Sequence, residues 1–381
     1  MSAKNYCEDK MILCKDYNML KLKAELLCLG VKVHKDLINS IDGYFLEHDF
    51  IHGSQILLDN KVVVNVPINE KFVLKYSPFE LLRESEEWSI SKDGFPITKC
   101  KPLLMPQWVN LTLSNSIKIG DIVRPHSNTI LFCTPIKKCI FDKLNKKCKF
   151  CTFFENGIIS GFNINLIKVA FQTIFSRIID YKEVAIGGAT PNLVDFGVSY
   201  YSKIAKIIKD LRPDIKISIE IIPPQNLDIL YDLYSAGVDS IIMNIEIFDD
   251  EVRQRICPGK SDVSKSHYFK AWEKALDIFG ENKVSSVLIV GLEDKKSTIK
   301  GAKKMLNMGI IPTLIPFRPY DVCELAYLPP VSPEYYLSVY REIFSEGREN
   351  KVNPRKQPGC TRCGGCSLET LLIGWKNERN Y

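Results

Sequence analysis

Residues 129–151 read TILFCTPIKKCIFDKLNKKCKFC, and the fold is read outward from them. The run 129–134 is apolar and β-rich, as a buried strand should be, and three cysteines follow: Cys139, Cys148 and Cys151, in a C-x8-C-x2-C spacing with Phe150 directly before the last. Three thiolates this close along the chain can hold one metal centre, and an iron–sulfur site is the first reading. A structural zinc knuckle competes, because tetrahedral zinc takes the same ligands. What surrounds the stretch decides between them.

The strand is the first of six. Apolar runs recur at 183–187, 215–222, 240–246, 284–291 and 310–317, and amphipathic helical stretches lie between them, three closed by Gly237, Gly280 and Gly309. Nearly all-apolar strands separated by helices imply a parallel sheet covered on its outside. The expected fold is α/β: a partial (β/α)6 TIM-like barrel, open rather than the closed eight, over residues 125–350. Residues 1–110 read as a small α+β N-terminal extension and 351–381 as a Cys-rich C-terminal loop. In the extension, Leu20 to Leu29 has helical spacing and stops at Gly30 before an extended Val31 to Val33, and residues 55–68 form a hairpin about Asp59-Asn60. Ser77-Pro78 and residues 102–108 read as a linker or covering loop. Cys7, Cys14, Cys28 and Cys100 are too scattered for a ligand set and are expected to pack.

Composition narrows the function classes. With 381 residues, 45% hydrophobic and 25% charged, the chain has ordinary globular proportions. The N-terminal residues break their apolar runs with charge, and no apolar run is long enough for a bilayer, so a cytoplasmic protein without a membrane role is expected. Thirteen cysteines in a reducing compartment point to metal or redox chemistry rather than disulfides. The net charge of +6, without a basic arm carrying interleaved aromatics, argues against nucleic acid.

In barrels of this kind ligands gather at the C-terminal ends of the strands. The cysteine stretch follows the first strand, Gly187-Gly188-Ala189-Thr190 the second, Glu220 lies near the end of the third, Asn244 and Glu246 end the fourth, and Arg318 follows the sixth. A [4Fe–4S] cluster normally takes four thiolates, so three leave one iron open to chelate the amino and carboxylate groups of a small molecule; S-adenosylmethionine (SAM) is the cofactor whose radical chemistry uses this arrangement.

This pattern resembles the radical SAM superfamily. The resemblance implies that Cys139, Cys148 and Cys151 ligate a [4Fe–4S] cluster, that the backbone of Phe150 meets the adenine, and that Gly187, Gly188, Ala189 and Thr190 meet the methionyl amino group. It further implies that Glu220 and Glu246 face the cofactor or substrate, with Arg253 as candidate for the methionine carboxylate; the bland alternative for Arg253 is a local surface pair with Asp249-Asp250. The commonest superfamily spacing, C-x3-C-x2-C, wants a cysteine where Leu144 stands, which makes Cys133 the alternative first ligand. The blocks GGATP, EIIPP, AGVDSIIMNIEIFDDEVRQRICPGK, VSSVLIVGLED, PFRP and GCTRCGGCS together resemble the small radical SAM family encoded in bacterial nitrilase gene clusters, and more distantly biotin synthase. That family also has a widened first cysteine gap, an N-terminal extension and a cysteine-rich tail.

The tail places Cys360, Cys363 and Cys366 among Gly359, Gly364 and Gly365, which lets three thiolates converge. An auxiliary iron–sulfur cluster is the first reading, a zinc site completed by Cys323 or Cys257 the second, free redox thiols the third. The N-terminal unit and this loop are expected to cap the barrel mouth. Lys143, Lys146, Lys147 and Lys149 form a basic collar on the first cysteine loop, which would suit a flavodoxin- or ferredoxin-type electron donor, with a solvated loop face as the plainer reading. Arg318 and Tyr320 would line the pocket, or stiffen a turn with Pro316 and Pro319. The expected function is reductive cleavage of SAM to a 5′-deoxyadenosyl radical that abstracts hydrogen from a small-molecule substrate; the competing readings are a peptide- or protein-modifying radical enzyme and a non-catalytic iron–sulfur or zinc protein for electron transfer or binding.

Overall fold

The apolar run at 129–134 forms β1 (Ile130–Cys133), and the five later runs form β2 (Glu183–Ile186), β3 (Lys216–Glu220), β4 (Ser240–Ile242), β5 (Val284–Val290) and β6 (Ile311–Pro316). They are seen in a computed structural model that describes residues 18–40, 54–103, 105–114, 117–152, 161–177, 180–344 and 352–372. The six strands pair in chain order, all parallel, with registers such as Leu131 opposite Val184 and Ile219 opposite Ile241. The chain is thus a partial (β/α)6 barrel. One strand was not anticipated: Val123–Pro125 adds antiparallel to β1 at the outer edge.

The helices cover the sheet because their apolar residues recur at helical spacing. Helix Val198–Leu211 buries Val198, Tyr201, Ile204, Ala205 and Ile208 on one side. Asp249, Ser264 and Asp294 each cap a helix start by accepting a backbone N–H. Gly309 ends helix Lys295–Met308 in the left-handed region (φ 80°), where a residue without Cβ pays no steric penalty.

An open barrel leaves the backbone of its last strand unpaired on one side, and here side chains satisfy it. Leu314 N–H of β6 donates to Glu369 Oε1 at 2.6 Å, and Leu314 C=O accepts from Tyr336 Oη at 2.7 Å and Tyr340 Oη at 3.0 Å. Helix Pro333–Phe344, which carries both tyrosines, therefore covers the edge and ends the sheet without further pairing.

Helix Met19–Leu29 and the hairpin Ser54–Leu58 with Val62–Val66 form as expected, with Asp59 and Asn60 both at positive φ in the turn. The region from Phe79 to Pro102, between the two segments read as linker or covering loop and itself read as no element, is a meander of three antiparallel strands, Phe79–Glu84, Glu87–Lys92 and Phe95–Pro102, within a six-stranded sheet. Its strands are hard to see in sequence because much of one face meets water and is charged, which dilutes the apolar signal. This sheet and the barrel share one hydrophobic core, in which Leu26, Ile56 and Val64 join the same buried cluster as the barrel residues Ile219 and Leu314.

The Cys-rich tail also differs from the expectation. It does not cap the mouth at the C-terminal ends of the strands. It enters the barrel from the opposite end, where Gly359 N–H donates to Glu183 Oε2 at the start of β2, Ser240 Oγ at the start of β4 donates to Pro358 O at 3.3 Å, and Gln357 Nε2 donates to Ser285 Oγ of β5 at 2.9 Å. Arg362 forms an ion pair with the same Glu183. The polar side chains planted at the starts of otherwise apolar strands are what hold the tail inside.

Candidate active site

The barrel encloses a cavity of about 390 Å³, and both cysteine groups face it. At the C-terminal ends of the strands its wall holds Cys139, Cys148, Cys151 and Phe150 beside Gly188, Ala189 and Thr190. Two backbone bonds tie the cysteine loop to the glycine turn: Ile140 N–H to Thr190 O at 2.8 Å and Ala189 N–H to Ile136 O at 3.1 Å. Gly188 is required there, because at φ 142° a Cβ would stand 2.7 Å from Ile136 O. Gly187 lies behind the wall against Phe132 and Glu220.

The far side of the loop docks on the segment after β4. Lys149 N–H donates to Ile256 O at 2.9 Å and Gly259 N–H to Lys146 O at 3.0 Å, while the Phe141 ring occupies the space a side chain at position 259 would need. Cys257 sits fully buried behind Cys148, and a hydrogen bond between them is the main influence holding the Cys148 thiol below its ordinary range, against burial and with help from Lys260. Cys133 ends β1 in the core, off the cavity wall, where burial pushes its thiol up. Of the two candidates for first ligand, Cys139 shares the wall with Cys148 and Cys151 and Cys133 does not.

A line of buried polar groups crosses the cavity below this loop. Lys260 Nζ meets Glu246 Oε1 at 2.6 Å, and Asn244 Nδ2 donates to Glu220 Oε1 at 2.6 Å while its Oδ1 accepts Val287 N–H at 2.9 Å. Burial raises Glu220 above the usual carboxylate range. Burial alone would lower Lys260, but Glu246 and Cys148 hold it well above its ordinary value. Glu246 has a left-handed backbone (φ 66°).

Arg253 is elsewhere. It is 2% exposed, its guanidinium donates to Val263 O at 3.0 Å and Lys260 O at 2.6 Å and lies over the Tyr268 ring, so it neither reaches the cavity wall nor makes a surface pair. Asp249 caps its helix instead and Asp250 pairs with Lys265. Lys260, seven residues beyond in the PGK turn, is the cation that lines this end of the cavity. Sequence reasoning passed over it because nothing but tertiary packing folds that turn back toward Glu246. The basic collar is weaker than its lysine count implies, since Lys146 pairs with Asp262 at 2.8 Å and Lys147 with Glu324 at 3.2 Å.

The opposite end of the cavity is made by Cys360, Thr361, Gly365 and Cys366, together with Asn65 from the N-terminal hairpin. Asn65 Nδ2 lies 3.4 Å from Cys366 Sγ, and its own N–H donates to Gly365 O at 2.8 Å. Two buried cations adjoin these cysteines. Lys23 Nζ donates to Gly364 O at 2.6 Å, and Arg318 donates to Leu27 O, Asn65 O and Tyr320 Oη. Burial pulls Lys23 down to about 8 against Cys363, Glu369 and Cys366, and burial likewise works against Arg318, whose charge Tyr320 and Cys366 support. Arg318 and Tyr320 thus line the cavity, as one reading of the sequence held. Cys257 belongs to the other end and Cys323 is off the wall, so neither stands where it would complete a site with the tail cysteines.

Residues 140–306 match the Radical SAM superfamily. The chain is 21% identical to the bacteriochlorophyllide c C-7(1)-hydroxylase of Chlorobaculum limnaeum over 68% of its own length and 71% of that protein, and 23% identical to the lipoyl synthase of Sulfolobus acidocaldarius over 53% and 67%. Among solved structures, methylornithine synthase overlays on 65% of this chain and 71% of its own with a TM-score of 0.45 and 16% identity. The superfamily's cofactors are a [4Fe–4S] cluster and SAM. This chain carries a radical SAM superfamily domain and is an enzyme built on it.

Proposed function

We propose that the enzyme binds SAM at a [4Fe–4S] cluster held by Cys139, Cys148 and Cys151, and uses the resulting 5′-deoxyadenosyl radical to abstract hydrogen from a small molecule inside the barrel. The observation that carries this reading is the shared wall: the three cysteines, the Gly188 to Thr190 turn, Glu246 and Lys260 all face one cavity at the C-terminal ends of the strands. Among the described residues no three His, Cys, Asp or Glu side chains converge as a single ion requires. Ligands of a cubane sit on separate irons and need not converge in that way. When bound, the cluster supplies the electron that breaks the sulfonium bond.

The chain's own part is binding, orientation and exclusion of water. Phe150 would lie against the adenine, Gly187 to Thr190 would present backbone to the methionyl amino group, and Glu220 and Glu246 would face cofactor or substrate. For the methionine carboxylate the placement favours Lys260, on the cavity wall, over Arg253, which is off it with both terminal guanidinium nitrogens on backbone carbonyls. An electron donor of flavodoxin or ferredoxin type would approach the cysteine loop from outside. The block resemblance supports a place among the nitrilase-cluster radical SAM enzymes and a role in small-molecule metabolism.

The tail triad Cys360, Cys363 and Cys366 is assigned an auxiliary iron–sulfur cluster. Among the described residues Lys23 and Arg318 make no ion pair and hold only carbonyl and hydroxyl groups, with Glu369 acting on Lys23 alone, and a buried cation is costly unless an anion is near. Three thiolates on iron are such an anion, and the Asn65 amide supplies the N–H···S contact that tunes a cluster.

Anaerobic reconstitution tests the whole reading. About eight irons per chain and formation of 5′-deoxyadenosine with dithionite and SAM are expected. Iron loading without any 5′-deoxyadenosine would sink the enzymatic proposal, and about four irons would remove the second cluster.

A further inference from the structure

We propose that the tail cluster keeps one iron open to the barrel cavity, and that this iron binds the substrate through an anionic donor with a hydrogen-bond donor beside it, as in an α-hydroxy or α-amino carboxylate. The inference rests on the auxiliary-cluster reading above and adds what that cluster touches.

The two cysteine groups face each other across one cavity rather than opening on separate surfaces. Glu220, Lys260 and Cys360 all line this one cavity of about 390 Å³. A molecule positioned for hydrogen abstraction beneath the first cluster therefore has the tail cysteines as its floor. The tail supplies three thiolates where a cluster normally takes four. Of the other described cysteines outside the first loop, Cys28, Cys100, Cys133, Cys257 and Cys323, none lines the cavity.

Asn65 identifies what should lie at the open position. The residue is 2% exposed and on the cavity wall, its Nδ2 is directed at Cys366 Sγ, and its Oδ1 is buried with no hydrogen-bond partner. A buried orphan acceptor is costly, and each such group in a native structure calls for a donor. Because the same amide contacts a ligand sulfur, the missing donor is an O–H or N–H on a molecule seated at that iron. Arg318, on the wall with Asn65, adds the charge preference: a buried cation there suits an anionic donor on the bound molecule.

The test uses the full chain with Cys139, Cys148 and Cys151 all replaced by Ala, reconstituted so that only the tail cluster forms, reduced, and mixed with [13C]cyanide or [1-13C]glycolate. Pulsed EPR should show 13C coupling to the cluster with both probes. Asn65→Leu should keep the cyanide coupling and raise the glycolate concentration for half-saturation about tenfold, the loss of one hydrogen bond to a bound ligand. A tail cluster that forms but couples to neither probe has a closed fourth iron and overturns the proposal. Coupling to cyanide alone overturns the ligand class. A folded variant that takes up no iron defeats the auxiliary-cluster reading itself. Should the triple variant fail to fold, the wild-type enzyme is compared with Cys363→Ala, both with saturating SAM to occupy the open iron of the first cluster: a coupled signal present in the first and missing in the second is expected, and an equal signal in both overturns the proposal.

Discussion

Glu246 holds a backbone conformation that costs a side-chain-bearing residue about 1–3 kcal/mol, and several contacts over-determine it. Its N–H donates to Val287 O at 2.9 Å, its C=O accepts Ile289 N–H at 2.8 Å, and its carboxylate meets Lys260. The strain turns the carboxylate into the cavity at the end of an apolar strand. Lys260→Met would leave that carboxylate buried and alone, at a cost of about 3–5 kcal/mol. A clear fall in melting temperature with weaker SAM binding is expected, and an unchanged melting temperature would refute the pairing. His126, buried on the same cavity wall, sets a pH dependence. Burial lowers its pKa to about 4 from 6.5, so between those values the unfolded chain binds the extra proton. Its stabilising contribution is complete above pH 6.5 and is lost as pH falls toward 4, up to about 3 kcal/mol. Urea titrations of the metal-free protein should show this acid limb, and His126→Gln should flatten it.

At the scale of elements, the tail is held by small and polar residues placed against the strand starts. Gly359 has φ 86° and packs where any Cβ would collide with the Ser218 side chain. Gly359→Ala should therefore dislodge the tail while leaving the first cysteine loop intact. Iron content would fall from about eight to about four per chain, with 5′-deoxyadenosine formation retained. Loss of all iron would mean that the two loops are not independent. The strands and helices of the barrel were legible in sequence because each is apolar at its own period. The Phe79–Pro102 meander was not, because its strands are largely charged on one face, which dilutes the apolar signal. The inward course of the tail was equally hidden, since Glu183, Ser240 and Ser285 look like ordinary strand-start residues until Gly359, Pro358 and Gln357 are seen against them.

For the molecule as a whole, the N-terminal sheet is part of the enzyme's interior. It shares the barrel's core, lends Asn65 to the cavity, and reaches the tail through Lys23. Arg318, after β6, binds backbone carbonyls of both Leu27 and Asn65. A fragment of residues 117–372 should consequently be insoluble or melt far below the full chain, and the intact protein should unfold in one transition; a fragment as stable as the parent would contradict this. No helix among the described residues is long and apolar enough to cross a membrane. The parallel barrel and the rim on which the first cysteine loop sits were written into the chain locally, because strand periodicity, cysteine spacing and glycine turns are local signals. Only the tertiary structure decided that Lys260 rather than Arg253 faces the cavity, that Cys139 rather than Cys133 stands with its partners, and that the second cysteine group lies at the far end of the same space. Those are long-range matters, settled by which buried charges and backbone groups find partners when the chain closes on itself.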